Sequence, residues 1–345
     1  MKKILRLLKY ISLSLLLTVT VYAVFNYKLV QYGLTQLSGQ LHIVMNTRPC
    51  DELLNDPAFP DSLKTKLRLI NEIRRFAVDS LGLNDSKNYT TLYDQQGKPS
   101  LWVLTACKPY SMEAYEWKFP FLGAVSYKGF FQQEKGIEEK KQLQQEGYDT
   151  DLHPTGGWST LGWFKDPILS NMLRRTEGQL AELIIHELSH ATLFLPGSID
   201  YNENFATFVG EQGAKQFLRH RYGQDSEVYR RYLEEQQDEA LYGSYMVQAT
   251  RRLDSLYRQL PDTMKTAEKS RKKTEFIASI ILNINSLNLN RRENFPQYKS
   301  DMKLPNNCYF MTYKRYRNIQ GDFQQEMDKS GGDLQAWITK LRESQ

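Results

Sequence analysis

His186, Glu187 and His190 lie in one five-residue run, His186-Glu187-Leu188-Ser189-His190, with two imidazoles four positions apart and a carboxylate beside the first. On a helix turning about 100° per residue, positions four apart differ by only about 40° in azimuth and one turn in height, so both rings reach a single ion. Glu187 projects roughly 100° away from His186, beside such an ion rather than onto it. This HExxH spacing suits a zinc-dependent hydrolase: the metal acidifies a bound water, and Glu187 takes its proton and later delivers it to a leaving amine.

A five-residue match carries weight only in a fitting setting. Thr176 followed by Gln179 reads as a capping box that starts a helix, and Pro196-Gly197 reads as its end. Leu180, Leu183, Ile184, Ile185, Leu188, Ala191 and Leu193 would cover most of the circumference of that helix, so it is expected to be buried. Two histidines and a glutamate in a buried helix need polar partners, and a metal ion satisfies them economically.

A catalytic zinc site has three protein ligands and one open position. The metzincin pattern HExxHxxGxxH fails, because Leu193 and Pro196 stand where Gly and His would be required. Thirteen residues beyond His190 comes Glu203, in Asn202-Glu203-Asn204-Phe205-Ala206, opening a second predicted helix that runs to about His220. Glu203, Ala206, Gly210 and Ala214 share one face of it, and the small side chains would let it approach the histidine helix closely. Asp200 is the rival donor, since a downstream Asp also serves as a zinc ligand.

With these residues the chain resembles the bacterial predicted aminopeptidases of the gluzincin type, which carry HEL[AS]H followed by a NExFA segment. His186, Glu187, His190 and Glu203 match position by position. The likeness extends through Trp117-Lys118-Phe119-Pro120, Ser126-Tyr127-Lys128-Gly129-Phe130-Phe131, the stretch from Ser159 to Pro167, and Leu304-Pro305-Asn306-Asn307. It implies an envelope-associated zinc metallopeptidase with one Zn2+ per chain and a peptide substrate. Many relatives carry a Cys just after a short apolar leader, whereas the first here is Cys50.

With 345 residues, 41% hydrophobic and 25% charged, the composition is that of an ordinary globular chain able to bury a large core. The net charge of +5 is small, and the basic run at residues 265–273 is read as a solvated surface, so no nucleic-acid partner is expected. Lys2, Lys3, Arg6 and Lys9 precede an uncharged, mostly apolar stretch at residues 10–25. That pattern predicts an inner-membrane anchor with the remainder outside the cytoplasm, or a signal segment cleaved after Ala23 to release a periplasmic protein. Cys50, Cys107 and Cys308 are too few and scattered for a thiolate metal site; two could pair in an oxidising compartment, and nothing selects which.

The elements around the motif follow from periodicity. Residues 60–83 read as an amphipathic helix with Leu63, Leu67, Ile70, Ile73 and Ala77 on one face. Strands are expected at 89–93, 101–107 and 123–131, and an edge strand at 158–164 would offer the backbone of Ser159, Thr160 and Leu161 to an extended peptide. Helices follow at 226–259, 263–288 and 333–343, with Leu233, Tyr242, Met246, Leu253 and Leu256 as core positions. The expected fold is therefore α+β and mainly helical: zincin-like, with a small N-terminal sheet, the HExxH helix and a helical C-terminal half. Its parts are an anchor or signal segment at 1–27, a catalytic part with the metal site at 28–220, and a helical part of the same domain at 221–345.

Tyr127 and Tyr201 are the candidate donors to the oxyanion of the tetrahedral intermediate, with His153 behind them. Glu182, one turn before His186, could orient that imidazole, although a solvated carboxylate is the simpler reading. For the free amine of an aminopeptidase substrate, Glu113, Glu116 and Glu211 are available without a spacing that singles one out. A serine hydrolase fails because Leu161 breaks the GxSxG pattern around Ser159. The remaining alternative, a non-catalytic envelope scaffold or peptide-binding protein with a structural metal, leaves Glu187 without a use.

Overall fold

The apolar run after the first basic residues folds as α1 (Lys2–Phe25), followed by α2 (Tyr27–Met45). The structure, a computed structural model, describes residues 2–120, 123–155, 165–195, 197–299, 302–314 and 320–343. Among them one helix, at Ile4–Phe25, is long and apolar enough to cross a membrane, and a signal sequence has the same length and composition. The chain divides into two units, Met1–Asn46 and Thr47–Gln345.

The larger unit is mainly helical and, among the described residues, carries three small sheets where the sequence leads one to expect a single one. In the first, β1 (Thr47–Pro49) runs antiparallel to β2 (Thr91–Tyr93), which runs parallel to β8 (Ile168–Leu169). In the second, β3 (Trp102–Cys107) is central, flanked by β6 (Lys128–Phe130) and β7 (Asp149–Pro154), both antiparallel to it. The third is a two-stranded pair, β4 (Trp117–Phe119) with β5 (Gly123–Val125). The single strand expected at 123–131 is therefore two: a bend at Ser126 hands the chain from one sheet to another. The expected edge strand at 158–164, with Ser159, Thr160 and Leu161, lies outside the described residues.

The helices of this unit are α3 (Cys50–Asn55), α4 (Asp61–Asp79), α5 (Gln133–Gln145), α6 (Glu177–His190), α7 (Ile199–Tyr222), α8 (Glu227–Arg258), α9 (Thr266–Asn283), α10 (Asn307–Lys314), α11 (Gln320–Lys329) and α12 (Leu334–Glu343). Helix α4 buries Leu67, Ile70, Ile73 and Ala77 completely, as its periodicity requires, and packs on α6. In α6, Leu180, Ala181, Ile184, Ile185 and Leu188 are all buried. Helices α6 and α7 form the most extensive element pair in the fold. Phe323 of α11 and Trp337 of α12 pack their rings, edge-on or tilted, against Phe205 and Phe208 of α7.

Helix α8 crosses this group and continues into a second core, where Tyr242, Met246, Ala249 and Leu253 meet Ile277, Ile280 and Ile281 of α9 and Phe310 of α10. Tyr242, Met246 and Leu253 fill core positions as expected, but Leu233 is only partly buried and Tyr232 takes the inward place. The reason lies at Gly178 of α6, where a Cβ would come within 2.4–2.9 Å of the Tyr232 side chain, ring atoms included. The absent side chain leaves the slot that the ring fills. Gly178→Ala is expected to lower stability by about 1–3 kcal/mol through overpacking, although helix propensity alone favours Ala by roughly 1 kcal/mol. Urea unfolding of the two proteins checks this, and a higher midpoint for the variant would refute the tight contact.

Candidate metal centre

The N-terminus of α6 is fixed by the expected capping box: Thr176 Oγ1 accepts from Gln179 N–H at 3.3 Å, and Gln179 Oε1 accepts from Thr176 N–H at 3.4 Å. Its C-terminus differs from expectation. The helix stops at His190 rather than near Gly197, with Ala191 as C-cap. Two asparagines account for the early stop. Asn84 Nδ2 donates to Ala191 O at 2.9 Å, and Asn202 binds both main-chain groups of Leu195, accepting from its N–H at 2.8 Å and donating to its carbonyl at 2.9 Å. These bonds satisfy chain-end groups that would otherwise call for another helical turn. Asn202 and Glu203, adjacent in sequence, thus act separately. The first pins the connection between the helices, and the second is carried on the start of α7.

Helix α7 begins at Ile199, three residues earlier than its expected opening segment. The small-residue stripe does face α6. Ala206 and Ala214 are buried, and a Cβ on Gly210 would lie 3.0 Å from Glu182 O and 3.1 Å from His186 Cβ. The approach brings Glu203 to the two histidines. His186 Nε2 and His190 Nε2 are 3.3 Å apart, Glu203 Oε2 is 3.7 Å from the first, and Glu203 Oε1 is 3.6 Å from the second. Four ligands at about 2.05 Å in a tetrahedron around zinc stand roughly 3.3 Å from one another. The three donors therefore fit one small divalent ion without rearrangement of the helices. Among the described residues no other group of three His, Cys, Asp or Glu side chains closes in this way. The side chains are 22%, 24% and 53% exposed in the order His186, His190, Glu203, so the donor triangle opens towards solvent on the Glu203 side.

Burial acts on the site's ionisable groups in opposite senses. It pushes His186 down to about 3, with His190 adding to the effect, and it lowers His190 against the opposing pull of Glu203. Both rings are thereby held neutral, the form that ligates a metal. Burial pushes Glu187 up to about 7, with Asp166 and Glu203 contributing repulsion, while a hydrogen bond from Tyr89 pulls it back. The Tyr89 hydroxyl is itself raised well above its usual range by burial, next by Glu187, so it remains a donor.

Tyr89 is a partner that sequence reasoning missed; it figures there only as the first residue of a strand. It is buried, its φ is +60°, and the strand begins after it, at Thr91. Its N–H donates to Asp166 O at 2.7 Å, while Asn88 Oδ1 accepts from Asp166 N–H at 3.1 Å. No local pattern marks one tyrosine among 21 for this place; it is reached only through the pairing with a segment far along the chain.

Asp200 is exposed in the first turn of α7, and its carbonyl accepts from Asn204 Nδ2 at 2.7 Å; its carboxylate is not part of the donor triangle. Tyr201 packs edge-on against Phe323 at 5.4 Å, in the field of Glu326. Tyr127 lies exposed in the bend between β5 and β6. His153 Nδ1 bonds Asp151 Oδ2 at 2.8 Å on β7. Glu182 is not solvated: its Oε2 accepts from Tyr232 Oη and Gln236 Nε2, each at 2.8 Å, and burial, followed by repulsion from Glu239, pushes it up to about 7. Of the acidic candidates for a substrate amine, Glu113 is paired with Lys108, and Glu211 adds to the negative field around Glu182.

Fold and site define a mainly helical α+β protein with a candidate site for one divalent metal ion. Residues 31–345 match the family model described as "Putative aminopeptidase", and the chain belongs to that family. No curated protein and no solved structure matches it.

Because Gly210 sits against the backbone of α6, Gly210→Ala is expected to push the helices apart by a few tenths of an ångström and to cost about 1–2 kcal/mol. Divalent-ion affinity, read by competition with a chelator, should fall along with the unfolding midpoint. Unchanged affinity would mean that the close approach does not set the triangle.

Proposed function

We propose that this chain is a zinc-dependent peptidase of the gluzincin type, an aminopeptidase in keeping with its family, held at a membrane by α1 with the remainder outside the cytoplasm. The observation that carries the reading is the triangle of His186, His190 and Glu203 donors with the carboxyl of Glu187 on the same helical turn. A structural metal needs four closed ligands and no base; here there are three donors, an opening and a buried carboxyl. The membrane assignment is supported by the length and apolarity of Ile4–Phe25 and the basic residues before it.

When bound, a zinc ion would supply Lewis acidity towards the scissile carbonyl and the attacking water. Glu187 Oε then accepts the proton of that water and returns it to the nitrogen of the leaving amine. Burial raises the proton affinity of Glu187 before any ion is bound, and the positive charge of a bound ion would act in the opposite sense, towards the carboxylate that accepts a proton. Tyr89 holds one orientation of that carboxyl from the buried side. His186 and His190 need no proton loss on loading, because burial already keeps them neutral.

The test is metal content and peptide turnover on the full-length chain purified in detergent. About one zinc per chain is expected, lost in Glu203→Ala and kept in Asp200→Ala. Glu187→Gln should keep the metal while lowering turnover by on the order of 10²–10⁴. Peptides with free and blocked N-termini separate exopeptidase from endopeptidase activity. A wild-type chain that takes up no zinc when supplied with it would sink the reading.

Tyr89→Phe removes one hydrogen bond to a carboxylate and nothing from the metal ligands. The expected result is a roughly tenfold lower kcat with unchanged zinc content and KM. Loss of zinc together with kcat would instead show that Tyr89 supports the fold of the site as a whole.

A further inference from the structure

The three cysteines do not share one environment. Cys50, at the start of α3, is buried on its own helix, whereas Cys107 Sγ and Cys308 Sγ lie 3.4 Å apart, 201 positions apart in sequence. Cys107 ends β3, paired in register with Asp149 of β7; Cys308 sits in the first turn of α10. The two residues are 1% and 2% exposed.

We propose that Cys107 and Cys308 form a disulfide that joins the central sheet to the C-terminal helices. A disulfide bond is about 2.05 Å long, so each sulfur would move by only about 0.7 Å to close it. The surroundings hold the two elements together independently of the sulfurs. Asn306 Nδ2 donates to Thr150 O at 2.9 Å, and Asn307 Nδ2 donates to Lys108 O at 3.0 Å and Pro109 O at 3.1 Å. Asp149 accepts from Asn307 N–H at 3.1 Å and pairs with Lys273 of α9. The Leu304-Pro305-Asn306-Asn307 segment thus presents Cys308 to Cys107 in one fixed register.

The step is thiol–disulfide exchange with an external disulfide oxidant, either a dithiol oxidase or oxidised glutathione. The Cys107 thiolate attacks one sulfur of the oxidant and expels the other as a thiolate. Cys308 then attacks the Cys107 sulfur, which forms the intrachain bond and releases the second oxidant thiolate. Two cysteine thiols are oxidised, the oxidant disulfide is reduced to two thiols, and the two cysteine protons end on them. Because both sulfurs are out of reach in the folded protein, the bond forms during folding, before α10 closes over β3. This makes it a permanent clamp rather than a reversible switch. The oxidising setting rests on the exported placement proposed above, whereas the pairing itself rests on geometry alone.

The experiment alkylates the denatured full-length chain before and after reduction and maps the linked peptides by mass spectrometry. One arm uses the full chain expressed with its own N-terminal segment in a bacterium whose periplasm is oxidising, so that its own export decides its exposure; the other uses protein made in a reducing cytosol, unfolded, and refolded with oxidised and reduced glutathione. One alkylated thiol, Cys50, is expected before reduction and three after it, with Cys107 and Cys308 in one linked peptide in both arms. Reduction should lower the unfolding temperature by on the order of 5 °C. Three free thiols in the refolded arm, or a link through Cys50, would overturn the pairing. A link in the refolded arm with three free thiols in the first would support the pairing and overturn the exported placement instead.

Discussion

The distance between α6 and α7 is the constraint on which the rest depends. Packed helices ordinarily run 8–10 Å apart, set by the side chains between them. Here the side chain at the crossing is absent: Gly210 lies against Glu182 O and His186 Cβ, and Ala206 and Ala214 continue the same face. A glutamate is short, and from a helix one side chain further away its oxygens would not come within 3.6 and 3.7 Å of the two imidazoles. The surrounding elements press the pair together. Helix α4 covers one side of α6, Tyr232 of α8 fills the slot over Gly178, and Phe323 with Trp337 backs Phe205 and Phe208 of α7.

One physical cause, burial, acts on the acidic and the basic groups of the candidate site in opposite senses. A low-dielectric surrounding disfavours charge of either sign. It therefore keeps His186 and His190 unprotonated, with ring nitrogens free to ligate, and it keeps Glu187 ready to hold a proton. Left alone, burial and the nearby Asp166 and Glu203 carboxylates would drive Glu187 further upward, and the Tyr89 hydrogen bond moderates that rise. Glu182 shows the same response to burial on the same helix, but its oxygen is taken by Tyr232 and Gln236, so its carboxyl ties α6 to α8.

The parts of this arrangement that were legible in the sequence are those written in local periodicity or in fixed spacing. The buried face of α4, the capping box of α6 and the small stripe of α7 each repeat at helical intervals, and each folds as its pattern requires. The strands were harder to read. Strand β7 alternates Asp149, Asp151 and His153 with Thr150 and Leu152, a polar run whose strand character comes from pairing with β3. Strands β1 and β8 are three and two residues long, too short to carry a period. Tyr232 displaced Leu233 from the core because a glycine 54 positions earlier makes room for a ring, which no window around Leu233 contains. For the same reason the sequence left the cysteine pairing open: the proximity of Cys107 and Cys308 is a property of how β3 meets α10.

Tyr89 belongs to this non-local class, and its backbone shows how it is held. A φ of +60° costs a non-glycine residue roughly 1–2 kcal/mol, and such a conformation persists where the surroundings over-determine it. The reciprocal bonds between Asn88-Tyr89 and Asp166 do so, and they turn the phenol towards Glu187. The same stretch of chain also holds the far end of α6: Asn84 N–H donates to Thr192 Oγ1 at 3.0 Å, and Asn84 Nδ2 donates to Ala191 O. Residues 84–89 therefore span the site, clamping the helix just beyond His190 at one end and touching the carboxyl beside His186 at the other. The His186, His190 and Glu203 triangle is set by helix-on-helix packing, while the carboxyl of Glu187, the proposed base, is oriented by this strap. A change in the strap can thus shift Glu187 relative to the donor triangle without moving α7.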